Sequence, residues 1–232
     1  MLKALLTDID GTITNSSRRI DTEAVELIRS LADQGIEVVL ASGNAPCFME
    51  ALCKMIGTQG SFIAENGGVF RAGYPGKLRI QGSQEECRRA LETLQDYYRK
   101  QGKELELFSP NYRFADLAFA RTVPVEEVRS ILRDHPVQVL DTGYAIHLQS
   151  PDVNKGTALV ALAPELGLSP EDFLAVGDSL NDLQMLRTAG IGITVANAHP
   201  EIKAVAQYTA EKEYGKGFVE AVNKYYSYFR AR

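Results

Sequence analysis

Two rhythms of apolar residues alternate along this chain. Lys3 to Thr7, Ile36 to Leu40, Ser61 to Ala64, Phe173 to Val176 and Ile191 to Val195 are short, mostly apolar runs of strand length. Such runs suit strands buried on both faces. Between them apolar residues recur every three or four positions, the spacing of a helix face. Asp21 can cap a helix in which Ala24, Leu27, Ile28 and Leu31 share one side, ending near Gly35. Pro46 to Ile56, Asn154 to Leu166 and Leu180 to Leu186 read as further helices, and a last one starts near Gly217. That last helix carries Phe218, Val222, Tyr225 and Phe229 at helical spacing. Its stripe either packs on the sheet or meets a second copy of the chain. Strands alternating with helices predict an α/β fold, a Rossmann-like parallel sheet with right-handed crossovers.

The rhythm changes between residues 82 and 153. Gln84 to Lys100 is helical, with Cys87, Ala90, Leu91, Leu94 and Tyr98 on one stripe. Leu105 to Phe108 and Arg113 to Ala120 read as strands, and Pro124 opens a helix over Val125 to Arg133. Val137 to Leu140 and Tyr144 to Leu148 are two more strands, joined at Asp141-Thr142-Gly143. The segment therefore predicts a smaller α+β cap inserted into the core, with four strands and helices on one side. Residues 1–81 and 154–232 form that core. A unit of this size would be marginal alone, but it is tethered at both ends.

Composition narrows the field. Of 232 residues, 45% are apolar and 24% charged, which fits a soluble globular protein. The net charge of −5, without a basic run, argues against nucleic acid as a partner. Cys47, Cys53 and Cys87 have no zinc spacing and suit reduced thiols in the cytoplasm. The apolar start is broken at Asp8, so neither a signal peptide nor a membrane span is expected.

Chemistry concentrates at the predicted strand ends. Asp8 and Asp10 lie in DIDGT and Asp178 and Asp182 in GDSLND, each word directly after an apolar strand. In a parallel sheet, ligands collect beyond the carboxyl ends of the strands. Carboxylates gathered there repel one another unless a cation intervenes, which points to a hard divalent ion and a phosphorylated ligand. Ser42-Gly43-Asn44 ends another strand, and Lys155 stands in the first turn of a helix capped by Asn154. A cation is unfavourable at that end of a helix unless an anion is near. Each word has a plainer reading: Asp-Gly marks ordinary turns, and Asp178, Ser179 and Asp182 can serve as helix caps. Their joint occurrence in this order favours a site.

DIDGT, the serine of LASGN, the lysine of NKG and GDSLND resemble, in order, the four motifs of the haloacid dehalogenase superfamily of phosphohydrolases. AENGG at 64–68 and VANA at 195–198 are similar to its branch with a cap between motifs two and three. The small cap, ASGN and TGYAIHL at 142–148 resemble the archaeal phosphoglycolate phosphatases. The resemblance implies Asp8 as nucleophile and Asp10 as general acid and base. Ser42 and Lys155 would bind the phosphoryl group. Mg²⁺ would be held by Asp8, the Asp10 carbonyl and Asp178, with Asp182 as a ligand or a neighbour of the ligands. Transport ATPases of the superfamily carry threonine at the position of Asp10; aspartate favours hydrolysis.

The expected activity is Mg²⁺-dependent hydrolysis of a small phosphorylated metabolite, 2-phosphoglycolate first, in a cytoplasmic monomer or homodimer. A sugar-phosphate phosphatase is the alternative. A non-catalytic phospho-aspartate switch is a second, but such domains are about half this length and accept phosphate on a middle strand, whereas Ser61 to Ala64 ends without an aspartate. Substrate choice is expected in the cap. There His147 points away from Ile146 and Leu148, either toward the core or to the cap surface.

Overall fold

A computed structural model describes residues 1–230. In chain order its elements are β1 (Ala4–Asp8), α1 (Thr22–Asp33), β2 (Glu37–Ala41), α2 (Pro46–Ile56), β3 (Ser61–Ala64), β4 (Val69–Arg71) and β5 (Arg79–Ile80). Then come α3 (Gln84–Arg99), β6 (Leu117–Ala120), α4 (Val125–Ile131), β7 (Gln138–Asp141) and β8 (Ala145–Gln149). The chain closes with α5 (Lys155–Glu165), β9 (Phe173–Val176), α6 (Leu183–Thr188), β10 (Ile191–Thr194), α7 (Pro200–Val205), β11 (Tyr208–Thr209) and α8 (Tyr214–Lys224).

The large sheet has the order β11-β10-β9-β1-β2-β3-β4-β5. It is parallel from β11 to β3, and β4 and β5 add antiparallel edges. Every residue of β1, β3 and β9 is buried, because helices cover both faces. From β1 the chain moves out to β2 and β3 on one side, and later returns to pair β9 on the other. The order therefore reverses at β1, which opens a crevice at its carboxyl end. Register sets what meets there. Asp8 pairs with Ala41, one residue before Ser42, and Thr7 pairs with Val176, two before Asp178.

The inserted unit is a separate antiparallel sheet, β6-β8-β7. Cys87, Leu94 and Tyr98 of α3 and Val128 of α4 bury its Phe119, Ile146 and Leu148 in a second apolar cluster. It has three strands where the pattern predicts four. Leu107 makes only an isolated bridge to Phe119, since Ser109 turns left-handed at φ 52° ahead of Pro110 and ends the extension. β6 also starts four residues later than Arg113. The N–H groups of Phe114, Ala115 and Asp116 donate to the Glu65 carboxylate and are lost to any strand partner.

Other departures are local. β4 and β5 are short runs separated by Gly73, Pro75 and Gly76, too brief to read as strands. Leu180 to Leu186 divides into a 3-10 turn over Leu180–Asp182 followed by α6. α8 starts at Tyr214 and ends at Lys224, so Tyr225 and Phe229 lie beyond it; Phe229 bridges to Leu2 beside the amino-terminal strand instead. No helix among the described residues is long and apolar enough to cross a membrane.

Candidate active site

β1 delivers Asp8 to the crevice, and the chain turns immediately, with Thr12 and Ile13 donating to the Ile9 carbonyl. Gly11 makes the turn possible at φ 89°, and a Cβ there would lie 2.4 Å from Asp178 Oδ2. Glycine is therefore what lets the DIDGT turn and the GDSLND loop touch. Thr12 Oγ1 donates to Asp178 Oδ1 at 3.1 Å across this contact.

Lys155 is the first residue of α5, and the Asn154 side chain caps that helix. Its side chain is fully buried, with Nζ 2.5 Å from Asp8 Oδ1 and 2.6 Å from Asp182 Oδ1. Two carboxylates thus offset the unfavourable position of a cation at a helix start. Oδ2 of Asp182 accepts from the N–H groups of Asp178 and Ser179, each at 3.0 Å. Both oxygens of Asp182 are thereby committed. The capping reading and the cluster reading of GDSLND hold together: Asp182 closes a box with Ser179 and also fixes Lys155.

Carboxylate oxygens of Asp8, Asp178 and Asp182 lie within 4.8 Å of one another. One ammonium stands against these three acids. Burial pushes the Asp8 carboxyl well above its usual range, and the Asp182 charge adds to this against the pull of Lys155. Burial and Asp182 likewise push Asp178 up to about 7. Burial would pull Lys155 down, but Asp182 and Asp8 outweigh it and hold the ammonium above its ordinary range. The cluster is short of positive charge.

On the neighbouring strand end, Ser42 Oγ accepts from Asn44 N at 3.1 Å and Asn44 Nδ2 at 2.9 Å. With its lone pairs so engaged, its own hydroxyl proton is left to donate outward. Asn44 Nδ2 also reaches Asp10 Oδ2 at 3.5 Å. Asp8, Asp10 and Ser42 border one cavity of about 450 Å³, closed on its other side by Phe108, Arg113, Tyr144 and His147 of the inserted unit. The structure brings Asp8, Lys155, Asp178 and Asp182 into one bonded cluster, with Asp10 and Ser42 beside it.

Several residues at this junction escape a reading of the sequence. Glu65 and Asn66 adopt left-handed φ values of 51° and 53°, a conformation that costs roughly 1–2 kcal/mol per residue. Side-chain bonds offset it: Glu65 takes the three N–H groups of 114–116, and Asn66 Oδ1 accepts from Asn181 Nδ2 at 3.0 Å. Gly67, at φ 106°, lets the start of α5 pass, since a Cβ there would fall 2.2 Å from the Asn154 carbonyl oxygen. Burial, then the Asp116 charge, push Glu65 up to about 7. The word AENGG marks the place but not the partner, which lies about fifty residues onward. Glu65→Ala leaves the N–H groups of Phe114, Ala115 and Asp116 without their acceptor, so stability should drop by about 1–3 kcal/mol. A thermal melt checks this; an unchanged melting temperature would mean that the junction does not depend on the carboxylate.

Comparison with known proteins agrees with this geometry. A family model described as haloacid dehalogenase-like hydrolase matches residues 5–116 and 125–222. A phosphoglycolate phosphatase of Methanoculleus marisnigri is 61% identical over 234 residues, covering 100% of both chains. Another, of Methanospirillum hungatei, is 47% identical over 232 residues, again covering 100% of both. The crystal structure of Thermoplasma acidophilum 0175 superposes with a TM-score of 0.86 at 28% identity, covering 97% of this chain and 99% of that one.

Proposed function

The chain belongs to the haloacid dehalogenase-like hydrolases, and from that membership we propose that it is a Mg²⁺-dependent phosphatase that hydrolyses 2-phosphoglycolate through an aspartyl-phosphate on Asp8. The observation that carries the reading is the cluster itself: three acids within 4.8 Å, with Lys155 bonded to two of them, at the wall of a cavity that also holds Asp10 and Ser42. The relatives named phosphoglycolate phosphatase support the choice of substrate. In this reading residues 82–153 serve as the cap and residues 1–81 with 154–232 as the catalytic core. The enzyme works in the cytoplasm, beside its phosphorylated substrate.

The donor set fits a magnesium ion. It is all oxygen, crowded and under-neutralised, as a hard cation requires. Asp8 and Asp178 would hold it with the Asp10 carbonyl, on which no hydrogen bond ends among the described residues. Asp182, with both oxygens engaged, positions Lys155 and the 178–179 backbone rather than binding directly. When bound, the ion supplies positive charge that admits a dianionic phosphate and draws charge from its oxygens.

The chain's own groups account for the rest. Asp8 attacks phosphorus in line with the ester bond, which breaks as the new P–O bond forms. Asp10 gives its proton to the leaving alkoxide. It then takes one from a water that attacks the acyl phosphate and releases the Asp8 carboxylate. The Ser42 hydroxyl donates to a phosphoryl oxygen, and Lys155 stabilises the charge that develops beside Asp8.

A panel of phosphorylated metabolites assayed with Mg²⁺ and with EDTA tests this directly. We expect phosphoglycolate to give the highest kcat/KM and EDTA to silence the enzyme until Mg²⁺ is restored. A preference for hexose phosphates would replace the substrate, and turnover undiminished by EDTA would remove the ion.

A further inference from the structure

The hydrolytic steps leave unused a buried histidine that borders the cavity from the inserted unit. His147 on β8 is 3% exposed, so it faces the cavity and not the outer surface of the unit. Its Nδ1 lies 2.8 Å from Asp116 Oδ2, and Arg113 Nη1 donates to Asp116 Oδ1 at 2.6 Å. Burial alone would raise the Asp116 carboxyl. The bond and charge of His147, then those of Arg113, outweigh it and hold the group below its ordinary range. An ionised carboxylate only accepts hydrogen bonds, so Nδ1 carries the proton of this contact. The ring is thus fixed, and Nε2, with no hydrogen-bond partner among the described residues, is left to the cavity.

Arg113 is already spent on the protein. Nε donates to the Phe108 carbonyl at 2.9 Å, and Nη1 and Nη2 both reach the Gly43 carbonyl at 3.2 Å. It therefore neutralises Asp116 and ties the inserted unit to the backbone beside Ser42. The distance from the phosphoryl-binding serine to His147 is set by a buried guanidinium rather than by a free loop. With Nδ1 donating to Asp116, Nε2 donates to the cavity when the ring carries both protons.

We propose that His147, oriented by Asp116 and braced by Arg113, is the subsite that recognises the carboxylate of a short phosphorylated hydroxy acid, with Nε2–H donating to a carboxylate oxygen while the phosphate sits against Asp8. This rests on the phosphatase reading above and names the chemistry that selects within it. His147 here binds substrate; Asp116 and Arg113 are positioning residues.

The test compares 2-phosphoglycolate with ethyl phosphate, which has the same length without the carboxylate. The ratio of their kcat/KM values should fall about tenfold or more in His147→Leu, chiefly through KM for phosphoglycolate, as expected for one lost charge-assisted hydrogen bond. Turnover of ethyl phosphate in the same preparation reports on folding. In the wild-type protein, with no substitution at all, phosphoglycolate should exceed its neutral carboxamide by a similar factor. An unchanged ratio in His147→Leu, or equal rates for acid and amide, would overturn the subsite and leave the phosphatase intact. Failure of the wild type to hydrolyse any phosphomonoester would sink both.

Discussion

Asp8→Asn should abolish turnover of phosphoglycolate while the protein stays folded. The amide keeps the shape of the side chain but offers no anionic oxygen to phosphorus, so the covalent route is closed. Removing the nucleophile of a covalent hydrolase lowers kcat on the order of 10⁴-fold or more. Stability should move the other way or not at all. Burial and Asp182 hold the Asp8 carboxyl well above its ordinary range, so in the metal-free protein its ionisation costs folding free energy, and that cost grows as pH rises from the unfolded pKa toward the folded one. A neutral amide removes that cost and loses one bond to Lys155 in exchange. The prediction is therefore double: no turnover, and a melting temperature in EDTA at neutral pH equal to or above that of the parent. Turnover above about one per cent of the parent would take the nucleophile's role from Asp8. A large loss of stability with turnover gone would leave misfolding as the cause.

The residues gathered at this site are legible in the chain because each ends an apolar strand or starts a helix. Asp8, Ser42 and Asp178 follow runs whose parallel register alone brings their carboxyl ends together. Lys155 betrays itself by standing where a helix disfavours a cation. What joins the two units is not legible. Glu65 finds its three donors about fifty residues onward, and Arg113 reaches Gly43 across seventy. These bonds run between a side chain and a distant backbone, and neither partner shows a periodicity that reports them. The same bonds explain the missed start of β6, because a backbone that donates to a carboxylate cannot also build a strand. His147 shows the limit well. Alternation fixes which side of β8 it occupies, but only the tertiary structure supplies Asp116 and the cavity.

Lys155→Met separates the structural role of the cluster from its catalytic one. Methionine keeps the length of the side chain and removes the only ammonium bonded to Asp8 and Asp182 among the described residues. Breaking a buried pair by deleting one partner costs about 3–5 kcal/mol, since the remaining charges lose their compensation. For a chain of this size each kcal/mol is worth roughly 2–4 °C in melting temperature. The loss should depend on pH, and its sign follows from the acids. Lys155, held above its ordinary range, is charged in both folded and unfolded parent across pH 5–8, so it adds no slope of its own there. In the variant Asp8 and Asp178 lose the cation that pulled them down, so their folded pKa values rise further. They can be protonated at the acid end at little cost, whereas ionising them toward pH 8 sets unpaired charges against one another. The gap between parent and variant should therefore be small near pH 5 and widest near pH 8, and Mg²⁺ should narrow it by supplying the missing charge. Activity should fall by roughly 10²–10³ even with saturating Mg²⁺, the scale of one lost electrostatic contact to the transition state. Melts at the two pH values with and without Mg²⁺, together with kcat, measure all of this. A pH-independent gap that Mg²⁺ does not narrow would mean that Lys155 contributes packing rather than charge, and that repulsion among the three acids is not what the site is built around.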